Sequence, residues 1–120
     1  MALKNAKENT VIDKCKLVLS DMFNNIDDKF NVIVCNPPYI KTDIIKNLSK
    51  EVQEEPIIAL DGGIDGLSFY KVIAQNAHKF LIKDGVLALE IGYDQKEEVI
   101  QLLEKEKLYT DIYCKKDLSF

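Results

Sequence analysis

Pro37 and Pro38 follow almost directly on Asn31-Val32-Ile33-Val34-Cys35, and that junction limits the fold more than any other feature of the 120 residues. A β-branched, apolar run with almost no polar interruption reads as a strand covered on both faces, the kind found in a parallel sheet. Neither proline can donate to a sheet ladder, so the strand must stop and the chain must leave the sheet at Asn36. In open α/β sheets, ligands sit just beyond the carboxyl ends of the strands. Asn36-Pro37-Pro38-Tyr39 falls in that position.

Around this junction helix and strand signals alternate, which predicts an α/β fold with a largely parallel sheet. Ala2 to about Asn9 reads as a helix end, and Leu17-Val18-Leu19 as a short strand closed by Ser20-Asp21. From Ile40 to about Ile64 the chain is polar and irregular, with a short helix expected near Ile44 to Val52. Asp61-Gly62-Gly63 and Asp65-Gly66 supply turn chemistry. Tyr70, Ile73, Ala77 and Phe80/Leu81 recur at helical spacing. Ser68 and Asp65 compete as the N-cap of that helix. Lys83-Asp84-Gly85 should end it, with Gly85 in the left-handed conformation. A third buried strand is expected over Gly85 to Ile91, a helix over Asp94 to Lys107, and a fourth strand over Tyr109 to Cys114.

The length suits one domain, residues 1–120, and no linker or internal repeat divides it. No apolar run approaches a membrane span, and the N-terminus has no signal-peptide core, so a cytoplasmic location is expected. Cys15, Cys35 and Cys114 are far apart, with no paired-cysteine motif or His cluster, so they read as small reduced core residues and no metal site is expected. His78 reads as a solvated or half-buried helical residue. The net charge of −4 and the scattered lysines disfavour a nucleic-acid substrate.

What can Asn36 to Tyr39 do? The Asn36 side-chain oxygen and the Pro37 carbonyl can each accept one N–H bond. The prolines remove two competing donors and stiffen the turn, and Tyr39 offers a flat ring for stacking. Together they suit a planar NH2 group, on an amide or on a base. Acceptors aimed at a nitrogen that becomes positive during alkyl transfer stabilise the transition state more than the ground state. A rigid turn without function is the plain alternative.

The wider sequence resembles a family. Val32-Ile33-Val34-Cys35-Asn36-Pro37-Pro38-Tyr39-Ile40, then Glu55-Pro56, Ala59-Leu60, Gly62-Gly63, Asp65-Gly66-Leu67 and Tyr70, resemble the HemK/PrmC-type glutamine-N5 methyltransferases that modify peptide chain release factors. The tetrapeptide is shared with adenine-N6 and guanine-N2 methyltransferases, whereas the downstream series is more particular to the release-factor enzymes. The resemblance implies a Rossmann-like class I fold and S-adenosylmethionine as methyl donor, with a release factor as protein partner. It implies that Asn36, Pro37, Pro38 and Tyr39 bind the target glutamine, and that Asn36, Pro37 and Tyr39 are the catalytic set. Ser20-Asp21-Met22-Phe23 matches the family's S-D-x-F loop, which makes Asp21 and Met22 cofactor-binding candidates. Asn36 would lie beside the methyl end of the cofactor. Glu90-Ile91-Gly92 matches the ending of the family's fifth strand.

The resemblance also shows departures. The family's glycine-rich cofactor loop and its ribose-binding acidic residue would precede Met1. The family sheet runs in the order 3-2-1-4-5-7-6, and strands 1, 2 and 7 would be missing here. The expectation is a partial catalytic domain, an expressed piece or truncated frame, deficient in cofactor binding and activity. Its open strand edges would invite a homo-oligomer or swapped dimer. Two competing readings remain: an amino methyltransferase acting on an exocyclic NH2 of a nucleic-acid base, and a non-catalytic fragment.

Overall fold

The computed structural model describes residues 2–8, 14–45 and 57–116. Helix α1 (Ala2–Glu8) stands where a helix end was expected. The β-branched run is strand β1 (Phe30–Cys35), and the later apolar run belongs to β2 (Leu81–Leu89). The two pair in parallel, with Ile33 opposite Leu87 and Cys35 opposite Leu89, as a two-stranded sheet among the described residues. Parallel pairing requires a crossover, because a tight turn can only reverse the chain. That crossover carries α2 (Thr42–Ile45), α3 (Ile57–Leu60) and α4 (Ser68–Asn76). A 3-10 turn at Ala77–Phe80 then leads directly into β2, and α5 (Lys96–Lys105) follows it.

Helix α4 forms where the apolar spacing predicts. Tyr70, Ile73, Ala74 and Ala77 make one buried stripe, each at most 2% exposed. Tyr70 Oη donates to the Glu90 carbonyl at 2.7 Å, which fastens α4 across the end of β2. Neither candidate caps the helix: its N-cap is Leu67, with no side-chain cap bond. Asp65 instead accepts the Leu67 N–H at 2.9 Å, and its other oxygen meets Lys71 Nζ at 2.6 Å.

Several expectations are corrected. Lys83-Asp84-Gly85 does not end α4 but lies inside β2, in the stretch where the register shifts between Phe30 and Val32. The left-handed residue there is Asp84 (φ 65°), whose short polar side chain tolerates that region better than most. Strand β1 is not covered on both faces. Ile33 and Cys35 are half-buried, but Val32 is 54% and Val34 78% exposed, beside Val86 and Ala88 of β2.

Leu17-Val18-Leu19 forms no strand, and Leu19 is 95% exposed. Tyr109 to Cys114 forms none either. Tyr109 Oη donates to the Ala74 carbonyl at 2.9 Å and accepts the His78 N–H at 3.2 Å, while Asp111 turns left-handed at φ 54°. Short apolar runs become strands only when a ladder partner completes them, and neither has one among the described residues. Cys15 and Cys114 are exposed rather than core residues, while Cys35 is half-buried. His78 is half-buried, with Nε2 2.9 Å from the Gln75 carbonyl. Most of the helix expected near Ile44 to Val52 lies outside the described residues, as do Asn9, Glu55 and Pro56. Among the described residues no helix is long and apolar enough to cross a membrane.

The Tyr70 bond ties α4 to the residue that follows β2. Tyr70→Phe should lower stability by about 1 kcal/mol. The measurement is a urea melt, in which the midpoint should fall at unchanged slope.

Candidate functional site

Strands β1 and β2 end side by side, since the Glu90 N–H donates to the Cys35 carbonyl at 3.0 Å just beyond the last paired residues. Asn36 is the first residue past that edge. It is exposed, Pro37 is buried, and Pro38 and Tyr39 are half-buried. No described residue hydrogen-bonds the Asn36 side chain or the Pro37 carbonyl. Two acceptors that no described residue engages therefore precede the half-buried Tyr39 along the chain, at the carboxyl edge of a parallel strand pair.

The backbone around Tyr39 is tightly enclosed. A β-carbon on Gly62 would lie 2.7 Å from Tyr39 Cα, and one on Gly66 would lie 2.6 Å from the Tyr39 carbonyl oxygen. Gly66 also has φ +75°, so both space and conformation require glycine. Just beyond, Ile40 and Asp61 form an isolated parallel bridge. The Ile40 N–H donates to the Leu60 carbonyl at 3.1 Å and the Gly62 N–H to the Ile40 carbonyl at 2.8 Å. Asp61 Oδ1 accepts both Thr42 Oγ1–H at 2.7 Å and the Gly63 N–H at 2.9 Å. These two donors hold the Asp61 carboxyl below its ordinary range.

One residue that ties the site together carried no signal in the sequence. Gln95, 6% exposed, accepts the Gly92 N–H on Oε1 at 2.9 Å. Its Nε2 donates to the Tyr39 carbonyl at 2.9 Å and the Gly66 carbonyl at 3.1 Å. Three segments far apart in sequence meet on this side chain. A single glutamine ahead of a helix has no spacing or motif that would mark it. The Tyr39 ring lies close by, with Cδ2 3.1 Å from where a β-carbon on Gly92 would stand.

Neither weak acid behind the site, the buried Tyr70 or the half-buried Cys35, supplies a base. Burial pushes the Tyr70 hydroxyl well up, with nearby Tyr39, Cys35 and Glu90 adding to the effect. Burial also pushes the Cys35 thiol up. Both stay protonated at neutral pH, so Tyr70 acts as a hydrogen-bond donor and Cys35 as packing.

The other candidates sit elsewhere. Asp21 and Met22 belong to a turn held by Ser20, whose Oγ donates to the Met22 carbonyl at 2.9 Å and accepts the Asn25 N–H at 2.9 Å. Met22 is left-handed at φ 52°. With Asn24, Ser68, Phe69 and Val72 they line a shallow hollow of ≈ 230 Å³. Phe23 turns away to stack on Phe80 at 4.9 Å between ring centroids. Asn36 does not line this hollow, so the three cofactor-binding candidates are not gathered into one cavity among the described residues.

No family model matches the chain. It is 44% identical over 99 residues to the release factor glutamine methyltransferase of Agrobacterium fabrum, covering 82% of this chain and 34% of that protein. It is 41% identical over 120 residues to the enzyme of that name from Clostridium botulinum, covering 97% and 42%. The relative from Caulobacter vibrioides is 38% identical over 121 residues, covering 99% and 42%. The chain belongs to the release factor glutamine methyltransferase family. It spans between a third and somewhat over two fifths of the length of these relatives.

In this release factor glutamine methyltransferase relative, the signature downstream of the tetrapeptide has a physical meaning. Leu60, Gly62, Gly66 and Tyr70 do not line the open side of the site. They receive or bond the segment leaving Tyr39, or tie α4 to the adjacent strand end. Gly66→Ala should therefore cost more than about 1 kcal/mol, from positive φ and from collision with the Tyr39 carbonyl. Thermal melts of the variant would check it.

The Asp61 turn gives a pH signature. A carboxyl depressed in the folded state contributes stability above its unfolded value, and that contribution is lost as pH falls through the folded one. The amide signal of Gly63, followed by NMR from about pH 6 to about pH 2, should move only below the ordinary carboxylate range. Asp61→Asn, which keeps an acceptor oxygen, should abolish the movement.

Proposed function

We propose that this chain carries the acceptor-binding part of an S-adenosylmethionine-dependent N-methyltransferase that methylates the side-chain amide nitrogen, N5, of a glutamine in peptide chain release factors. The observation that supports it most is the pairing of an exposed Asn36 and an unengaged Pro37 carbonyl with the Tyr39 ring, at the carboxyl edge of β1. On this reading Asn36 Oδ1 and the Pro37 carbonyl accept the two N–H bonds of the target amide. Pro38 keeps the turn stiff, and the Tyr39 ring stacks on the amide plane. An amide nitrogen is a poor nucleophile because its lone pair is delocalised into the carbonyl. Fixing its plane and drawing on its hydrogens localises that lone pair and stabilises the charge that develops on nitrogen. The methylated nitrogen then sheds its proton to solvent without a tuned base, which agrees with the protonated states of Tyr70 and Cys35.

The hollow at Asp21 and Met22 fits the adenine end of the cofactor. Met22 and Phe69 offer polarisable and aromatic walls, and Asp21 and Ser68 offer polar edges. Bound there, S-adenosylmethionine supplies a sulfonium methyl group as electrophile. All five glycines stand at Gly62 or later, so a glycine-rich loop ahead of Ser20 is not among these residues. We assign β1 and β2 to the fourth and fifth strands of the family's seven-stranded sheet, with further cofactor contacts supplied by sequence outside this chain. The bare face of Val32, Val34, Val86 and Ala88 is in keeping with that assignment.

The alternative acceptor, an exocyclic NH2 on a nucleic-acid base, is disfavoured by the net charge of −4. A chimera decides between them: this chain in place of the matching segment of the Clostridium botulinum relative, assayed with labelled cofactor on release factor, DNA and RNA. Transfer to a release-factor glutamine is expected, with Asn36→Ala reducing it by about 100-fold or more. Labelling of nucleic acid alone, or an Asn36→Ala chimera as active as its parent, would refute the proposal.

A further inference from the structure

Gln95 is the only buried residue with an amide or charged side chain among those described, and its oxygen and both amino hydrogens are engaged. Oε1 takes the Gly92 N–H, while the amino group serves the Tyr39 and Gly66 carbonyls. One acceptor and two donors in a flat group is the inventory of a primary amide and of no charged side chain. The partners also settle which end of the group is which, since an oxygen facing two carbonyls would repel both.

The consequence reaches the candidate site. The Asn36 side chain and the carbonyls of Pro37 and Tyr39 are polar acceptors at the carboxyl edge of β1. Gln95 occupies the last, and no described residue occupies the first two. It also ties the Tyr39 backbone to Gly92, where a β-carbon would stand 3.1 Å from Tyr39 Cδ2. The same side chain thus engages one acceptor at this edge and holds the backbone that carries the ring.

We propose that Gln95 is a positioning residue for the target amide: by engaging the Tyr39 carbonyl and anchoring it to Gly66 and Gly92, it confines the incoming NH2 group to Asn36 Oδ1 and the Pro37 carbonyl, against a fixed Tyr39 ring. This rests on the function proposed above. Gln95 touches no reacting atom. Its influence passes through Tyr39, and a misplacement of about 1 Å at such a site can lower the rate by about 100-fold.

Two variants in the same chimera test it. Gln95→Met keeps the approximate volume and removes every hydrogen bond. Gln95→Glu keeps an acceptor for the Gly92 N–H and removes the amino donor. Each is assayed for kcat and for the KM of cofactor and release factor. Circular dichroism at the assay temperature reports the folded fraction. A positioning role predicts a fall in kcat of about 100-fold in both, with the cofactor KM held within about twofold and the loss persisting once scaled to the folded fraction. A kcat within about threefold of the parent, or a loss that vanishes once scaled to folded fraction, overturns the proposal. So does failure of both variants to fold, which would make the role structural. If the parent chimera leaves the release factor unmethylated, the function proposed above fails and this inference falls with it.

Discussion

One carboxamide meeting three backbone groups holds the candidate site's edge of this molecule together. Gln95 joins the turn after β2, the exit of the Asn36–Tyr39 segment and the Gly63–Gly66 turn. None of these has a regular ladder partner of its own at that point. The Gly92 N–H and the Gly66 carbonyl would otherwise be buried and unpaired, a state that costs on the order of 1–3 kcal/mol apiece. The parallel strand pair brings the segments to one edge, and the glutamine decides how they meet there.

The chemistry follows from what that arrangement leaves open. Buried ionisable groups near the edge are driven toward their neutral forms, so Tyr70 and Cys35 serve as donor and filler. The open groups are acceptors and a ring, and in the proposed function they bind an NH2 group through geometry rather than through charge. Such a site gains its effect by orientation, and orientation depends on the stiffness of the backbone behind it. Two prolines, two glycines in close contact with Tyr39 and one buried amide all contribute to that stiffness.

The sheet, by contrast, is only half enclosed. Helices α4 and α5 pack together, and the Tyr70 bond carries α4 to the end of β2. Val32 and Val34 meet Val86 and Ala88 on a face that the described residues leave to solvent. The relatives are more than twice as long as the aligned segment. The site edge is therefore better formed than the layer behind it.

Much of this was legible in the order of residues. The β-branched run and the prolines after it specify a strand and its end, because β-branching and a missing N–H act locally. The stripe of Tyr70, Ile73 and Ala77 specifies a helix, because its period is a property of neighbouring turns. The tetrapeptide and the downstream series named the family without any coordinates. Leu17-Val18-Leu19 and Tyr109 to Cys114 look equally strand-like in composition, yet a ladder needs a partner, and partners are chosen across the chain. The left-handed residue fell on Asp84 rather than Gly85 because the register of β2 against β1 placed the kink there. Gln95 was invisible for the same reason: its worth lies largely in the Tyr39 and Gly66 carbonyls, which only folding brings within 3.1 Å of it. Local bonding preferences are written residue by residue, whereas the meeting of distant backbone groups is decided by how the whole chain packs.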